Sequence, residues 1–204
     1  MEGFYTLSQK TIAEQTIDKS RFIGIGMPVN CLEQINQAMQ RIRQDYPNAR
    51  HYVYAYRLHD GHLEKASDDG EPQGTGGRPV LDILKHQNIW NILLVVVRYF
   101  GGVLLGTGGL TRAYGGTAKK VFEEIQLVQL TLFHQYRLRV SYDLYASLKY
   151  QLEQKDYHIK GEEFSEAVDM IISVPEEQRE LFLTWLGNFS NSQISPEDNG
   201  LIWE

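Results

Sequence analysis

The sequence predicts an α+β protein made of two domains. The chain has 204 residues, about the length of two small domains. Short apolar segments typical of strands alternate with segments in which apolar residues recur every three or four positions, as they do in helices. This alternation starts again near Thr131. We therefore predict a first domain over residues 1–128 and a second domain over residues 129–204.

The first domain is predicted to fold in the order βαββαβα. Its first strand is the apolar segment at residues 21–29. A helix follows, and Asn30 and Glu33 at its start have the spacing of a capping box. The apolar face of this helix consists of Leu32, Ile35, Met39, Ile42 and Tyr46.

Two strands come next, at residues 50–58 and 62–67, joined by a hairpin turn signal at Asp60 and Gly61. Alternation divides the side chains of the earlier strand between two faces. One face carries Tyr52, Tyr54 and Tyr56, and the other carries His51, Val53, Ala55 and Arg57. We expect the tyrosines to pack in the core, as aromatic strand residues usually do. Exposed on the surface, they would instead stack on nucleic-acid bases.

The rest of the first domain contains two glycine-rich segments. The earlier one is a polar loop at residues 68–78, followed by a helix with Pro79 in its first turn. A continuous apolar strand at residues 92–97 is expected to be buried on both faces. The second glycine-rich segment, residues 101–109, then leads into a helix at residues 110–125.

The second domain is predicted to fold in the order βαββαβ, a ferredoxin-like arrangement. Its elements are a strand at residues 131–141, a helix capped by Asp143, hairpin strands at residues 157–164 and 167–174, a helix from Pro175 to Gly187, and a strand within residues 193–203. This domain has no glycine-rich segment or aromatic stripe that indicates chemistry.

Composition and cysteine content argue against a membrane protein, a secreted protein and a zinc protein with thiolate ligands. The longest apolar run, at residues 92–97, is far shorter than the ~20 residues that span a bilayer, so we expect no membrane segment. The N-terminal segment carries Glu2, Lys10 and Glu14 and lacks the apolar core of a secretory signal. A single cysteine, Cys31, excludes an internal disulfide and a thiolate zinc site. We therefore expect a cytoplasmic protein.

Charge is distributed unevenly along the chain. The whole chain has a net charge of -6. Residues 1–129 carry 14 Lys and Arg against 13 Asp and Glu, a net of +1, whereas residues 130–204 carry 6 against 13, a net of -7. Because nucleic acids require a basic surface, the first half is the better candidate for binding one, and only through a local patch.

The second glycine-rich segment is the first candidate for chemistry. It contains Gly101, Gly102, Gly106, Gly108 and Gly109. A glycine turn between a buried strand and a helix lets backbone amides approach an anion. The segment lacks the lysine of a P-loop and the last glycine of a dinucleotide fingerprint. Two interpretations remain open: a turn that packs helix against sheet, or a site for an anion such as an RNA phosphate.

The second candidate is the acidic loop, in which Asp68, Asp69 and Glu71 place three carboxylates within four residues. Such oxygen ligands suit Mg²⁺ or Ca²⁺, although the spacing of an EF-hand is absent. The acids could instead be solvated beside the following helix. They could also pair with arginines, for which the candidates are Arg78, Arg98 and Arg112.

Four sets of motifs stand out in the first half of the chain: Lys19-Ser-Arg-Phe-Ile-Gly24; Ala49-Arg-His51 with Tyr54-Ala-Tyr-Arg57; Asp68-Asp-Gly-Glu-Pro72 with Gly74-Thr75; and Val95-Val-Val-Arg-Tyr-Phe-Gly-Gly102, continuing through Leu105-Gly-Thr-Gly-Gly-Leu110 to Arg112-Ala-Tyr114. Together they resemble the motifs of the IMPACT family. These motifs are closely spaced over roughly residues 15–125. One departure is Gly76, where the family commonly has Ala.

The resemblance implies a first domain like the second domain of a small-subunit ribosomal protein. It implies a second domain like the last domain of elongation factor G, as in bacterial members. It also implies a link to translation, because eukaryotic relatives modulate a translation-controlling kinase pathway through a protein partner. For bacterial members, binding to nucleic acid or the ribosome is an analogy from fold. No set of catalytic residues comes with the family, and no cofactor is expected.

We therefore predict a non-enzymatic, translation-associated regulatory protein that binds RNA or the ribosome through its first domain. The expected phosphate-binding residues are Lys19, Arg21, Arg50, His51, Arg57, Arg78, Arg98, Gly101, Gly102, Gly106, Gly108, Gly109 and Arg112. Two alternatives remain open. One is a metal-dependent enzyme that acts on a phosphorylated small molecule through Asp68, Asp69 and Glu71. The other is a protein-interaction module whose acidic second domain docks a basic partner.

Overall fold

The computed structural model describes residues 3–123, 127–155 and 157–204, which form two compact units. One unit spans Phe4–Gln129, and the other spans Leu130–Glu204 and includes Gly3. Both units combine helices with β-sheet, so the predicted two-domain α+β fold class is confirmed. Within the described residues, every helix is too short or too polar to cross a bilayer.

The first unit is built on a five-stranded sheet. Its elements in chain order are β1 (Phe4–Leu7), β2 (Thr11–Ile17), β3 (Ser20–Pro28), α1 (Leu32–Asp45), β4 (His51–Leu58), β5 (Leu63–Ser67), α2 (Gly77–His86), β6 (Ile92–Tyr99), α3 (Gly106–Glu123) and β7 (Leu127–Leu130). The strand order in the large sheet is β2-β3-β6-β4-β5, and all neighbours are antiparallel. Strands β1 and β7 pair in a separate two-stranded sheet.

Strand β6 lies at the centre of the large sheet, and residues 92–97 have no exposed surface. Successive side chains of a strand point to opposite faces. Leu93 and Val95 pack on the face covered by α1. Leu94 and Val96 pack on the opposite face, which α2 and α3 cover. The prediction of a strand buried on both faces is therefore confirmed.

The tyrosine stripe of β4 packs on the side of the sheet that α1 covers. Tyr52 is buried, and Tyr54 and Tyr56 are half-buried against the same core. The Tyr52 hydroxyl donates a hydrogen bond to the Tyr46 carbonyl oxygen at 2.6 Å. The core interpretation of this stripe is confirmed, and the stripe does not form a platform for bases.

Strands β1 and β2 are absent from the sequence prediction, which begins its first strand at residue 21. Strand β2 lies at the edge of the large sheet, and Ala13 is its only buried residue. Gln15 attaches this polar strand to α3, donating hydrogen bonds to the Ala113 carbonyl oxygen at 3.3 Å and to Thr117 Oγ1 at 2.6 Å. Strand β2 therefore has too few apolar residues to show the alternating apolar pattern by which a strand is recognised in a sequence.

Two predicted boundaries shift in the first half of the unit. Helix α1 begins at Leu32, and the backbone N–H of Asn30 donates to Gln34 Oε1 at 2.9 Å. The expected capping box of Asn30 and Glu33 is therefore wrong. Between β4 and β5, residues 60–62 form a short 3₁₀ turn instead of a two-residue hairpin turn.

Helix α3 begins one turn earlier than predicted, at Gly106 instead of Leu110. The last three glycines of the segment at residues 101–109 therefore belong to the first turn of a helix and not to a loop. The predicted end of this helix, Ile125, lies outside the described residues.

The second unit has the ferredoxin-like order that the sequence predicts. Its elements are β8 (Leu132–Val140), α4 (Tyr142–Gln154), β9 (His158–Phe164), β10 (Val168–Pro175), α5 (Arg179–Phe189) and β11 (Glu197–Trp203). The strand order is β11-β8-β10-β9, with antiparallel neighbours. Helix α4 follows Ser141 at its N-cap instead of Asp143, and α5 continues past Gly187. Helix α4 buries leucine side chains, and α5 buries a phenylalanine and a leucine, in one core with the sheet.

Candidate functional site

A cavity of about 540 Å³ opens in the first unit where β4 begins and β6 ends. Its polar wall consists of Arg50, His51, Glu71 and Arg98. Its other lining residues are Pro72, Phe100, Leu104, Leu105, Gly106, Thr107 and Leu110. A cavity of this volume, mainly apolar with a few convergent polar groups, is typical of ligand sites.

The register of β4 and β6 assembles the polar wall. Antiparallel pairing places His51 opposite Arg98. The backbone N–H of Arg50 donates to the Arg98 carbonyl oxygen at 2.8 Å, which extends this pairing by one residue. Basic residues that are distant in the sequence therefore lie side by side.

Glu71 is the centre of a buried network in the cavity wall. Its Oε1 atom accepts hydrogen bonds from Arg98 Nη1 at 2.5 Å and from the Tyr114 hydroxyl at 2.7 Å. The side chains of Glu71 and Arg98 are only 4% and 5% exposed. Because a buried charge needs a partner, the opposite charges of these two side chains compensate each other. Burial, together with the bond to Glu71, raises the pKa of the Tyr114 hydroxyl, which remains a donor.

His51 joins this network from the other side. Its Nδ1 atom lies 2.8 Å from the Asp69 carbonyl oxygen, and its Nε2 atom lies 3.7 Å from Glu71 Oε1. Since a carbonyl oxygen only accepts, Nδ1 carries the proton of this hydrogen bond. The ring is thereby fixed with Nε2 turned towards the carboxylate.

Ser20 connects Arg98 to the glycine-rich segment. Its Oγ atom accepts hydrogen bonds from Arg98 Nη2 at 3.4 Å and from the Gly101 N–H at 3.2 Å. A Cβ atom at Gly101 would lie 2.0 Å from the carbonyl carbon of Lys19, so only glycine fits there. Gly102 and Gly106 have φ angles of 86° and 67°, in the left-handed region that favours glycine. The turn interpretation of these glycines is therefore supported by packing and backbone conformation.

The three carboxylates of the acidic loop do not converge on one point. Asp68 accepts hydrogen bonds from the backbone N–H groups of Gly74, Gly76 and Gly77 at 2.8 to 2.9 Å, at the start of α2. Burial alone would raise the pKa of Asp68, but these three donors lower it below its usual value. Asp68 therefore shapes the loop and the helix N-terminus.

The other two acids point to different partners. Asp69 accepts from the backbone N–H of Tyr52 at 2.7 Å and pairs with Arg43 at 3.2 Å, while Glu71 pairs with Arg98. In the described residues, no three His, Cys, Asp or Glu side chains are arranged to hold a metal ion. The metal interpretation of the acidic loop is corrected accordingly, and the pairing of acids with arginines takes its place.

Arg57 and Arg98 are buried, contrary to their expected role as surface contacts to phosphate. Arg57 pairs with Glu64 at 2.9 Å, donates to two carbonyl oxygens, and lies 3.6 Å from the ring centroid of Trp90. It does not line the cavity. Arg98 does line the cavity, but Glu71 already neutralises its charge.

The predicted cations that are exposed fall into two groups. Arg21 forms two hydrogen bonds with Glu14, and Arg78 pairs with Asp82. In contrast, the charged groups of Lys19, Arg50 and Arg112 form no ion pair or hydrogen bond within the described part of the chain.

These three unpaired cations lie around the same glycine-rich segment. The Lys19 backbone contacts Gly101, and Arg50 lines the cavity with Gly106. Arg112 Nη1 lies 3.6 Å from the position that a Cβ at Gly108 would occupy. Of the predicted cations, these are the ones the fold leaves available to a ligand. Gly109, the remaining predicted glycine, packs against Leu105.

The apolar wall of the cavity was not among the predicted site residues. Phe100 is 47% exposed and Leu104 is 88% exposed, which is high for large apolar side chains. A signal was present in the sequence, since Val103, Leu104 and Leu105 interrupt a glycine-rich segment that is otherwise small and polar. Tyr114 and Ser20 gave no such signal, because their partners lie far away in the sequence.

Comparison with known proteins identifies the family. Residues 18–122, just over half of the chain, match the model of the Impact N-terminal domain. The chain belongs to the IMPACT family. The matched region contains the whole lining of the cavity. Residues 138–193 match a domain of unknown function, DUF1949, so both parts of the two-domain architecture have counterparts.

Other IMPACT family members resemble the chain over its full length. YvyE of Bacillus subtilis (strain 168) is 30% identical over 204 residues, covering 100% of this chain and 94% of that protein. YigZ of Escherichia coli (strain K12) is 33% identical over 197 residues, covering 95% and 97%. The crystal structure of a hypothetical protein matches with a TM-score of 0.65 at 31% identity, covering 96% and 97%.

Proposed function

We propose that this protein is a non-enzymatic, translation-associated regulator that acts in the cytoplasm and binds RNA, free or in the ribosome, through its first unit. Membership of the IMPACT family supports the association with translation. The observation that carries the proposed RNA contact is the group of three unpaired, exposed cations around the glycine-rich segment. These cations are Lys19, Arg50 and Arg112.

Cations without an internal partner favour contact with phosphate. An RNA backbone exchanges its bound counterions for such groups, which drives binding at low salt. The first turn of α3 lies among these cations and has free backbone N–H groups, as every helix N-terminus does. The dipole of this helix adds to the attraction for an anion. The three cations and the backbone N–H groups at Gly106 to Gly109 together form a surface that favours binding of a phosphate group.

The test is sedimentation of the purified protein with ribosomes and with free RNA, at low and high salt. Wild type is expected to sediment with at least one of them at low salt and to be released at high salt. Replacing Arg50 and Arg112 by alanine should weaken RNA binding by about tenfold, because two of the three proposed phosphate contacts are lost.

The matched control replaces Arg21 and Arg78 by alanine. This variant loses the same charge from two exposed arginines, but both are already paired with acids. It should bind as wild type does. Equal weakening in both variants would mean that net charge alone matters, and no sedimentation of wild type at low salt would reject the RNA proposal.

The structure gives the two alternatives no support. A metal-dependent enzyme needs converging ligands, and the three acids of the loop are engaged separately by backbone N–H groups, Arg43 and Arg98. On the second unit, four carboxylates that an acidic docking surface could use, Glu162, Asp169, Asp198 and Glu204, are already paired with bases of the same unit.

A further inference from the structure

We propose, building on the RNA-binding function above, that the cavity beside α3 accepts one unpaired nucleotide of an RNA strand. The protein would then prefer single-stranded RNA to duplex. The inference comes from three properties of the cavity: exposed apolar side chains at its mouth, polar groups in its wall, and a volume within the range of small-ligand sites.

The mouth of the cavity presents apolar surface to solvent. Phe100 and Leu104 lie between β6 and α3, and both are largely exposed. A base offers two flat faces that stack on an aromatic ring or pack on a leucine. In a duplex those faces are covered by neighbouring base pairs, so only an unpaired base can use this surface.

The wall carries polar groups that suit the edge of a base. The side chain of Arg98 is 5% exposed, and within the described chain its Nε atom has no hydrogen-bond partner. A buried donor without an acceptor is uncommon in native proteins. His51 and the Glu71 carboxylate line the same cavity. Polar side chains are therefore grouped in the wall beside which a base would pack on the apolar side chains.

The rim completes the match to a nucleotide. Arg50 and the first turn of α3, at Gly106 and Thr107, line the same cavity. The first N–H groups of a helix lack partners within the helix, so those at the start of α3 suit a phosphate. With Arg98 paired to Glu71, Arg50 and the helix N-terminus leave a positive balance that suits a group with one negative charge.

The experiment measures fluorescence anisotropy of a labelled 12-nucleotide RNA without self-complementarity, alone and as a perfect duplex. The test variant replaces Phe100 and Leu104 by alanine. The control variant replaces Phe164 and Leu181, which are 57% and 70% exposed and lie in the second unit. All four side chains are exposed, so we expect both variants to fold. Thermal unfolding checks this before RNA is added.

Wild type should bind the single strand about tenfold more tightly than the duplex, as expected for a stacked base. The Phe100 and Leu104 variant should lose about tenfold in single-strand affinity and retain its duplex affinity, while the control variant matches wild type. A mixture of adenosine and uridine 5′-monophosphates at millimolar concentration should compete with the single strand.

Two outcomes separate this inference from the proposed function. Equal affinity for single strand and duplex, or no effect of the Phe100 and Leu104 substitutions, would overturn the nucleotide site while RNA binding through Arg50 and Arg112 still stands. Binding to neither RNA by wild type at low salt would instead overturn the proposed function itself.

Discussion

Arg98 determines the polar wall of the cavity, because its guanidinium contacts Glu71 and Ser20 and lies within 5.5 Å of the centroids of two phenylalanine rings. Its charge is compensated inside the protein. Substituting Arg98 would therefore change the stability of the fold as well as any binding. Arg50 and Arg112 are the better residues to substitute when RNA affinity is measured.

Replacing Arg98 by alanine is expected to destabilise the protein by about 3–5 kcal/mol, because the Glu71 carboxylate would stay buried without its cation. Tyr114→Phe removes one hydrogen bond to the same carboxylate and should lower the free energy of unfolding by about 1.5–3 kcal/mol. Urea unfolding of both variants measures the difference. An Arg98→Ala variant within 1 kcal/mol of wild type would show that the pair contributes little.

The burial of Arg57 could have been deduced from the sequence, whereas pairing of Arg98 with the acidic loop was only one of several open alternatives. Strand alternation places Arg57 on the same face as Val53 and Ala55, and that face is covered by α2 and α3. A cation on a buried face of a sheet stabilises the fold and cannot contact a ligand unless it lines a cavity. Glu71 comes from a loop, and only the tertiary fold shows that this loop lies beside the end of β6.

At the scale of elements, the connection between β6 and α3 forms the site. It follows the central strand directly, contacts the turn before β3 through Gly101, and ends in the helix turn that lines the cavity. The sequence predicted a glycine-rich connection in this place. It did not predict where the helix starts, since glycines are poor helix formers and favour a loop assignment.

Gly101 and Gly102 should respond differently to substitution by alanine. A Cβ at Gly101 would overlap the Lys19 backbone, so we expect a loss of more than about 2 kcal/mol and displacement of the turn. Gly102 has open space around it but a φ angle of 86°, so Gly102→Ala should cost about 1 kcal/mol. Thermal unfolding compares the two variants. Equal losses would contradict the close contact at Gly101.

The elements that the sequence predicted well are those with strong apolar periodicity. Strands β6 and β8 have many buried residues and were found near their predicted places. Helix α1 also lies near its predicted place and buries Ile35 and Ile42 of its predicted apolar face, although Leu32 is exposed. Strand β2 was missed because it is polar and held at the sheet edge by Gln15. Apolar periodicity in the sequence identifies elements that bury side chains in a core. It does not identify an element such as β2, which is held to the sheet edge by hydrogen bonds.

For the whole molecule, the balance of charge limits how RNA can bind. The net charge of -6 gives no general attraction for a polyanion, and the second half of the chain is the acidic one. The proposed RNA binding must therefore depend on the local group of cations around the glycine-rich segment. We therefore expect the RNA to contact a small surface that is confined to these cations.

The salt dependence of RNA affinity tests this view. Three phosphate contacts on a single strand predict a slope of log K against log salt concentration of about -2. Anisotropy titrations between about 50 and 200 mM salt measure the slope. A slope steeper than about -5 would require a much larger basic surface than Lys19, Arg50 and Arg112 provide.

The stacking of Arg57 on Trp90 gives the first unit its own optical reporter. Trp90 is the only tryptophan between Phe4 and Gln129, whereas Trp185 and Trp203 belong to the second unit. Its indole ring lies against a buried guanidinium, an environment that unfolding replaces with water. Replacing Trp185 and Trp203 by phenylalanine would leave a chain whose fluorescence emission follows the cavity-bearing unit alone.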